Sequence, residues 1–129
     1  NACAEGAMLR FTVDDTQMVN IVRVEGEVDI TTAPSLNRAL ADALTHSHHV
    51  VADLTGVRYI DLSGIRALEA AHQVARQQGQ LLVVITPPDP IGNIFEIVKF
   101  RQEIPIVRSQ QAALEAIKRG GTSSAPSSP

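Results

Sequence analysis

The sequence predicts an α/β fold, with a mixed β-sheet of four to five strands and about four helices. Short apolar runs, typical of strands, alternate with longer segments in which apolar residues recur every three to four positions, as in helices. This order predicts mainly parallel strands joined by helical crossovers. The composition is 44% hydrophobic but only 3% aromatic, so the core is expected to be aliphatic.

The first part of the chain is predicted to be a β-hairpin followed by a helix. Residues 9–13 alternate apolar and polar side chains, residues 14–17 supply a turn, and a second strand from Val19 closes at Gly26. Residues 31–34 (Thr-Thr-Ala-Pro) indicate a helix start, with threonine caps and an early proline. The apolar stripe of this helix contains Leu36, Leu40 and Leu44.

The middle of the chain is predicted to hold the central strand and the second helix. After a polar break at residues 45–49, residues 50–54 form an apolar run typical of a buried parallel strand, which ends near Asp53. A connection over residues 55–59 leads to a helix from about residue 63 to 78, closed by Gly79. Its predicted stripe contains Ile65, Leu68, Ala71, Val74 and Ala75, whereas His72 is expected to face solvent.

The last part of the chain is predicted to complete the sheet. Residues 81–85 form a strand, a helical face follows around residues 91–98, and residues 104–107 form an edge strand because of Pro105. The last helix is expected to start at Ser109 and to turn Ala113, Leu114 and Ile117 inward. The predicted domain is therefore residues 8–118, after an N-terminal extension (1–7) that is expected to be partly a cloning remnant and before a disordered Gly/Ser/Pro tail (119–129).

The composition limits the classes of partner that are expected for this protein. A net charge of −3, few aromatic side chains and no Trp disfavour nucleic acid or an anionic membrane as the main partner. Cys3 is the only cysteine, so no internal disulfide can form. No apolar stretch approaches the roughly 18 residues of a spanning helix. A cytoplasmic protein, monomeric or weakly dimeric and without a cofactor, is expected.

Catalysis and metal binding are not predicted. The sequence contains neither a G-x-x-x-x-G-K-[ST] nor a G-x-G-x-x-G phosphate-binding motif, and Ser63 does not lie in G-x-S-x-G. His46, His48 and His49 suggest a metal cluster at first sight, but no Cys or carboxylate accompanies them at ligand spacing. A solvated loop is the better interpretation of these histidines.

An ordered set of motifs resembles the STAS domain family, whose small bacterial members are anti-sigma-factor antagonists. The set consists of residues 26–29 (Gly-Glu-Val-Asp) before a helix, residues 53–57 (Asp-Leu-Thr-Gly-Val) and residues 60–65 (Ile-Asp-Leu-Ser-Gly-Ile). The resemblance implies a protein that binds an anti-sigma factor, often a serine kinase, and so frees a sigma factor. In that family the kinase phosphorylates the serine that directly follows the motif's Asp.

Position by position, the resemblance implies a partner surface and a changed switch. Asp61 matches the motif's Asp, Ser63 its second hydroxyl and Gly64 its Gly, while Asp29 matches an acidic residue beside the partner surface. Leu62 stands at the acceptor position and has no hydroxyl, so it cannot be phosphorylated. The expected surface contains Asp29, Thr31, Asp61, Leu62, Ser63, Gly64 and Arg66.

Several alternatives stay open on the sequence alone. The protein binds its partner constitutively, or Ser63 is phosphorylated instead, or the module has left sigma regulation and serves as a ligand sensor or scaffold. Ser63 at a helix start is first of all a candidate cap, and Asp61 is the other candidate. Leu62 is either half-buried packing or an exposed partner anchor.

Overall fold

The computed structural model describes residues 9–16, 19–46, 48–95 and 104–120. Within these ranges the chain forms five strands, three α-helices and one short 3₁₀ helix. In chain order they are β1 (Leu9–Thr16), β2 (Val19–Val28), α1 (Ala33–His46), β3 (His49–Ile60), α2 (Leu62–Gln77), β4 (Leu82–Ile85), the 3₁₀ helix (Ile91–Ile94), β5 (Ile106–Val107) and α3 (Gln110–Lys118).

The strands form one mixed sheet in the order β1-β2-β3-β4-β5, as the α/β prediction requires. β1 and β2 are antiparallel, and the other neighbouring pairs are parallel. Strand alternation sends Val22 and Val24 to the face covered by α1 and α2, and Ile21 to the face covered by α3. Because α1 and α2 lie on the same face after neighbouring parallel strands, their first turns come together at one end of the sheet.

β3 is longer than predicted, and the expected connection over residues 55–59 is wrong. The strand continues to Ile60 and stays paired with β2 through two register shifts. Arg23 pairs with Asp53 but Glu25 pairs with Gly56, and the second shift follows Gly26. Each shift is a bulge with one extra residue in β3. A Cβ on Gly56 would lie 2.8 Å from Cγ of the exposed Glu25 side chain, so glycine allows this close approach without a shift of Glu25.

Asp53 stabilises the first bulge through its carboxylate. Its Oδ1 accepts hydrogen bonds from the backbone N–H (3.0 Å) and the hydroxyl (2.8 Å) of Thr55. Its Oδ2 lies 3.7 Å from Nε of Arg23. β2 likewise runs past its predicted end, since Gly26 with φ of 119° carries the strand on to Val28.

α1 ends at His46, so the predicted polar break from residue 45 is shorter than expected. Its last carbonyls are bound by side-chain amides: Nδ2 of Asn20 donates to the carbonyl of Ala43 (3.5 Å) and Nε2 of Gln80 to that of Leu44 (2.8 Å). The chain then enters β3, where Nδ1 of His49 accepts the N–H of Leu81 (3.1 Å). Polar side chains thus bind two carbonyl groups near the end of α1 and the N–H group that precedes β4.

α2 matches its predicted extent within one residue, but the exposure of two of its side chains is the reverse of the prediction. His72 was expected in solvent and is only 7% exposed, whereas Val74 was expected in the core and is 40% exposed. The reason is the 3–4 spacing of the buried stripe, which runs through Ile65, Leu68, His72 and Ala75. Gly79 ends the helix as predicted, with φ of 72° and a hydrogen bond from Gln80 back to Ala75.

The C-terminal part confirms the edge strand and the last helix. β5 has two residues and pairs only with β4 within the described ranges. Ser109 is the N-cap of α3, since its hydroxyl accepts the N–H of Ala112 at 3.1 Å. Ala113 is buried as predicted, while Leu114 and Ile117 are only half-buried.

Some predictions fall wholly or partly outside the described ranges. The helical face around residues 91–98 begins as the 3₁₀ helix, and residues 96–103 lie outside them. So do residues 1–8 and 121–129, which contain the predicted extension (1–7) and all but the first two residues of the predicted tail (119–129). None of the helices that the structure describes has the length and apolar character needed to cross a membrane.

Candidate functional site

Asp61 is the N-cap of α2, which decides between the two cap candidates. Its Oδ1 accepts the backbone N–H of Ser63 at 2.9 Å and that of Gly64 at 3.4 Å. Its own N–H donates to the carbonyl of Val28 (3.2 Å), which ties the turn to the end of β2. The expectation that Ser63 is the cap is therefore wrong, because the longer carboxylate side chain of Asp61 already binds the free N–H groups.

Leu62 is the first residue of α2, and its side chain is 50% exposed. Half-exposure means that Leu62 is not a fully buried core residue and that about half of its surface is accessible to a partner. An aliphatic side chain with no hydroxyl therefore stands at the solvent-facing start of the helix. Ser63, the next residue, is half-buried.

Gly64 is a packing residue. A Cβ at this position would lie 2.6 Å from Cγ1 of Val28 and 2.7 Å from Cγ1 of Ile60. Both neighbours are buried side chains at the ends of β2 and β3. Glycine therefore allows the first turn of α2 to approach the sheet closely, and Gly64 contributes to the site through this position rather than through an exposed group.

Asp29 orders the turn between β2 and α1. Its Oδ1 accepts hydrogen bonds from the hydroxyl (2.7 Å) and the N–H (2.9 Å) of Thr31 and from the N–H of Thr32 (3.2 Å). The Thr31 hydroxyl is the main reason that the pKa of Asp29 lies below its ordinary value. The Asp29 carboxylate thus orders the turn before α1, whose first N–H groups are bound by the backbone carbonyls of Asp29 and Thr32. The threonine hydroxyls predicted as caps bind within this turn instead.

The Thr32 hydroxyl locks the same turn from the other side. It donates to the carbonyl of Glu27 (2.9 Å) and accepts the N–H of Asp29 (2.9 Å). Ile30 projects from this ordered turn and is 74% exposed, the most exposed of the large apolar side chains in the described ranges. The sequence prediction missed Ile30, although a single Ile between Asp29 and two threonines in a turn was a usable signal.

A shallow cleft of about 380 Å³ separates the first turns of α1 and α2. We call it the helix-start cleft. It brings together two of the predicted site residues, Ser63 and Arg66, with Ile30 on the opposite wall. Leu62 lies four residues before Arg66, a spacing that places two residues on the same helix face, but it is not part of the cleft lining. The cleft is lined by Ile30, Ala33, Pro34, Asn37, Ser63, Arg66 and Ala67.

A second groove of about 460 Å³ lies at the carboxyl ends of β3 and β4. Its polar lining comes from Glu25, Thr55, Arg58 and Asp89. The predicted site residues do not line it.

The histidines of the predicted solvated loop do not come together as a site. His46 belongs to α1, where Nδ1 lies 2.9 Å from the carbonyl oxygen of Asp42. His49 is half-buried in β3, and burial, with a smaller contribution from His48, holds its pKa below the ordinary value. Over the ranges that the structure covers, no three His, Cys, Asp or Glu residues are grouped closely enough to hold a metal ion.

Comparisons with known proteins agree with the fold and with the motif set. The anti-sigma-B factor antagonist of Listeria monocytogenes is 33% identical over 93 residues, which is 71% of this chain and 81% of that protein. The anti-sigma F factor antagonist of Paenibacillus polymyxa is 21% identical over 112 residues, 85% of this chain and 96% of that protein.

Structural similarity supports the same assignment at the level of the fold. The crystal structure of an anti-sigma factor antagonist from Mycobacterium paratuberculosis matches with a TM-score of 0.71 at 24% identity, over 89% of this chain and 98% of that one. The sequence model of the STAS domain matches residues 10–113. The chain therefore belongs to the STAS domain family.

Proposed function

We propose that this chain is an anti-sigma-factor antagonist, which binds an anti-sigma factor stoichiometrically and so releases a sigma factor. The observation that carries the proposal is the hydrogen-bonded turn Asp61–Gly64, which exposes Leu62, in a chain whose similar proteins are named as such antagonists. The partner is an anti-sigma factor of the serine-kinase type, and binding takes place in the cytoplasm. No bond is made or broken by this chain.

The binding surface consists of the helix-start cleft and the two turns beside it. Asp29 and Asp61 use their carboxylates to order these turns, so the surface has its shape before a partner arrives. A surface that is already ordered loses less conformational entropy on binding. Thr31 takes part through Asp29, since its hydroxyl is turned toward that carboxylate.

Regulation differs from that implied by the family resemblance. A phosphate on residue 62 would add about −1.5 to −2 of charge beside Asp61, but Leu62 offers no oxygen to modify. Binding is therefore constitutive unless Ser63 is the acceptor. Ser63 is released from the capping role by Asp61, so its hydroxyl is the one remaining acceptor in the turn.

Titration of the purified chain with the anti-sigma factors encoded in the same genome tests the proposal. We expect a 1:1 complex with one of them and release of sigma factor from its complex with that protein. Leu62→Asp is expected to weaken binding, because it places a charge on the surface. Val74→Asp is the matched control, since Val74 is also a half-exposed apolar residue of α2 but lies three turns away. Absence of any complex at micromolar concentrations would overturn the proposal.

A second candidate is a ligand-sensing or scaffold module of the same fold, with a different protein or a small molecule as partner. The groove between β3 and β4 favours it, because the carboxyl ends of parallel strands are common ligand sites. A thermal-shift screen with nucleotides, sugar phosphates and amino acids separates the two. A rise in melting temperature that Arg58→Ala abolishes would favour the second candidate.

A further inference from the structure

The negative charges around the helix-start cleft are bound within the fold, whereas its positive charge is not paired with a carboxylate of the described residues. The carboxylates of Asp29 and Asp61 each accept backbone N–H groups of their own turn. Arg66 is the charged residue of the cleft lining, is exposed, and forms no ion pair with a carboxylate of the described residues. The cleft therefore presents a cation whose counter-charge is not supplied by the fold around it.

The shape of the cleft admits an apolar side chain. Ala33 and Ala67 are small and buried, so they form a low floor between the two helices. Ile30 forms one wall and leaves most of its apolar surface in water. A partner that inserts a side chain here would bury Ile30, and burial of apolar surface is the main favourable contribution to association.

We propose that the helix-start cleft recognises an apolar side chain flanked by a carboxylate, both presented by the anti-sigma factor. The apolar side chain lies between Ile30 and Ala67, and the carboxylate pairs with Arg66. This inference rests on the function proposed above and names the partner chemistry that the surface selects.

The need for the carboxylate follows from desolvation. A partner that covers the cleft removes water from the guanidinium of Arg66, and a covered charge without a partner is strongly unfavourable. The carboxylates of Asp29 and Asp61 are held in their own turns, and Glu69, one turn after Arg66 on α2, forms no ion pair with it among the described residues. The proposed counter-charge therefore comes from the other protein. A carboxylate matches the planar guanidinium in two parallel hydrogen bonds, which also fixes orientation.

Charge reversal on α2 provides the experiment. Arg66→Glu is compared with Arg76→Glu, which makes the same change in net charge on an exposed residue in the last turn of the same helix. We expect Arg66→Glu to weaken binding of the anti-sigma factor by about tenfold or more, and Arg76→Glu to leave it within about twofold. A Glu→Arg change at the matching carboxylate of the partner should restore binding to Arg66→Glu.

The apolar half of the inference has its own control. Ile30→Ser is compared with Val13→Ser, since Val13 is also an exposed apolar residue (57% exposed) but lies on β1. We expect loss of affinity only for Ile30→Ser. Thermal melts of all variants establish that each remains folded.

Amide chemical-shift mapping of the wild-type complex separates the possible failures. Shifts centred on residues 30–37 and 63–67 support the inference. If the wild-type chain binds an anti-sigma factor but the shifts lie at the β3–β4 groove, or Arg66→Glu and Ile30→Ser bind normally, the inference is overturned and the proposed function survives. If no anti-sigma factor binds the wild-type chain, both are overturned.

Discussion

The Asp61 carboxylate lies 2.9 Å from the backbone nitrogen of Ser63, and this one contact assigns different roles to two adjacent polar residues of the turn. Asp61 stabilises the helix start, and Ser63 keeps its hydroxyl for other contacts. We expect Asp61→Ala to lower the free energy of unfolding by about 1 kcal/mol. Ser63→Ala should change it by only a few tenths of a kcal/mol. Urea denaturation measures both, and equal losses for the two variants would contradict the assignment.

Gly64→Ala is expected to destabilise the protein although alanine favours helices. The new methyl group would press on Val28 and Ile60, and overpacking of this kind costs about 1–3 kcal/mol. The double variant with Val28→Ala provides the control, because removal of Cγ1 creates space for the methyl group. Urea denaturation should show a smaller cost of Gly64→Ala in that background. An equal cost in both backgrounds would mean that the contact with Val28 is not the cause.

The stability of the fold should decrease as the pH falls below about 6.5, the ordinary pKa of histidine. Burial lowers the pKa of His49, so the unfolded chain takes up a proton at a higher pH than the folded chain does. The neutral ring also accepts the N–H of Leu81, which a protonated ring cannot do. Stability is therefore fully present above the unfolded pKa and is lost as the pH falls toward the folded one.

Two asparagine variants isolate this contribution. His49→Asn keeps an acceptor near the position of Nδ1 but does not titrate, so urea denaturation between pH 7.5 and 5 should show a smaller pH dependence. His46→Asn is the control for the same substitution at an exposed position, since His46 lies at the end of α1. An unchanged pH dependence in His49→Asn would assign the effect to other groups.

The Thr31 hydroxyl should control the ionisation of Asp29. It is the largest cause of the lowered pKa, so Thr31→Val is expected to raise the pKa of Asp29 toward its ordinary value. NMR titration of the carboxyl carbon measures this shift. Thr45→Val is the control, because the Thr45 hydroxyl donates to the carbonyl of Ala41 and is remote from Asp29. No shift in Thr31→Val would contradict the hydrogen-bond assignment.

Restoring a hydroxyl at position 62 should restore modification, if the partner is a kinase. The wild-type chain, Leu62→Ser and the double variant Leu62→Ser/Ser63→Ala are incubated with the anti-sigma factor and ATP, and intact masses are measured. We expect one phosphate on both variants and none on the wild-type chain. A phosphate on Ser63 of the wild-type chain would overturn constitutive binding.

The sequence predicted the order of elements well because apolar periodicity follows burial directly. The prediction failed where the same residue pattern is typical of two different structures. Asp53, Thr55 and Gly56 are typical of a turn, but they form a strand bulge, since both need a glycine and a side chain that binds the backbone. Whether the chain turns or bulges depends on pairing with β2, which lies about thirty residues earlier.

The position of the turn between β3 and α2 was predictable, but the structural role of each of its residues was not. The motif located Asp61, Ser63 and Gly64, whereas which of them caps and which packs depends on distances across the turn. Ile30 was missed because its importance comes from its exposure and from the α2 residues opposite, neither of which is visible in a local pattern.

The two bulges of β3 also bear on how this surface can change over evolution. From Arg23 to Val28, β2 advances five residues, while the paired stretch of β3 from Asp53 to Ile60 takes seven. Loss of one bulge would move the start of α2 by about 3.3 Å, the rise of one strand residue. A single insertion or deletion in β3 is therefore expected to change the width of the cleft without replacing any residue that lines it.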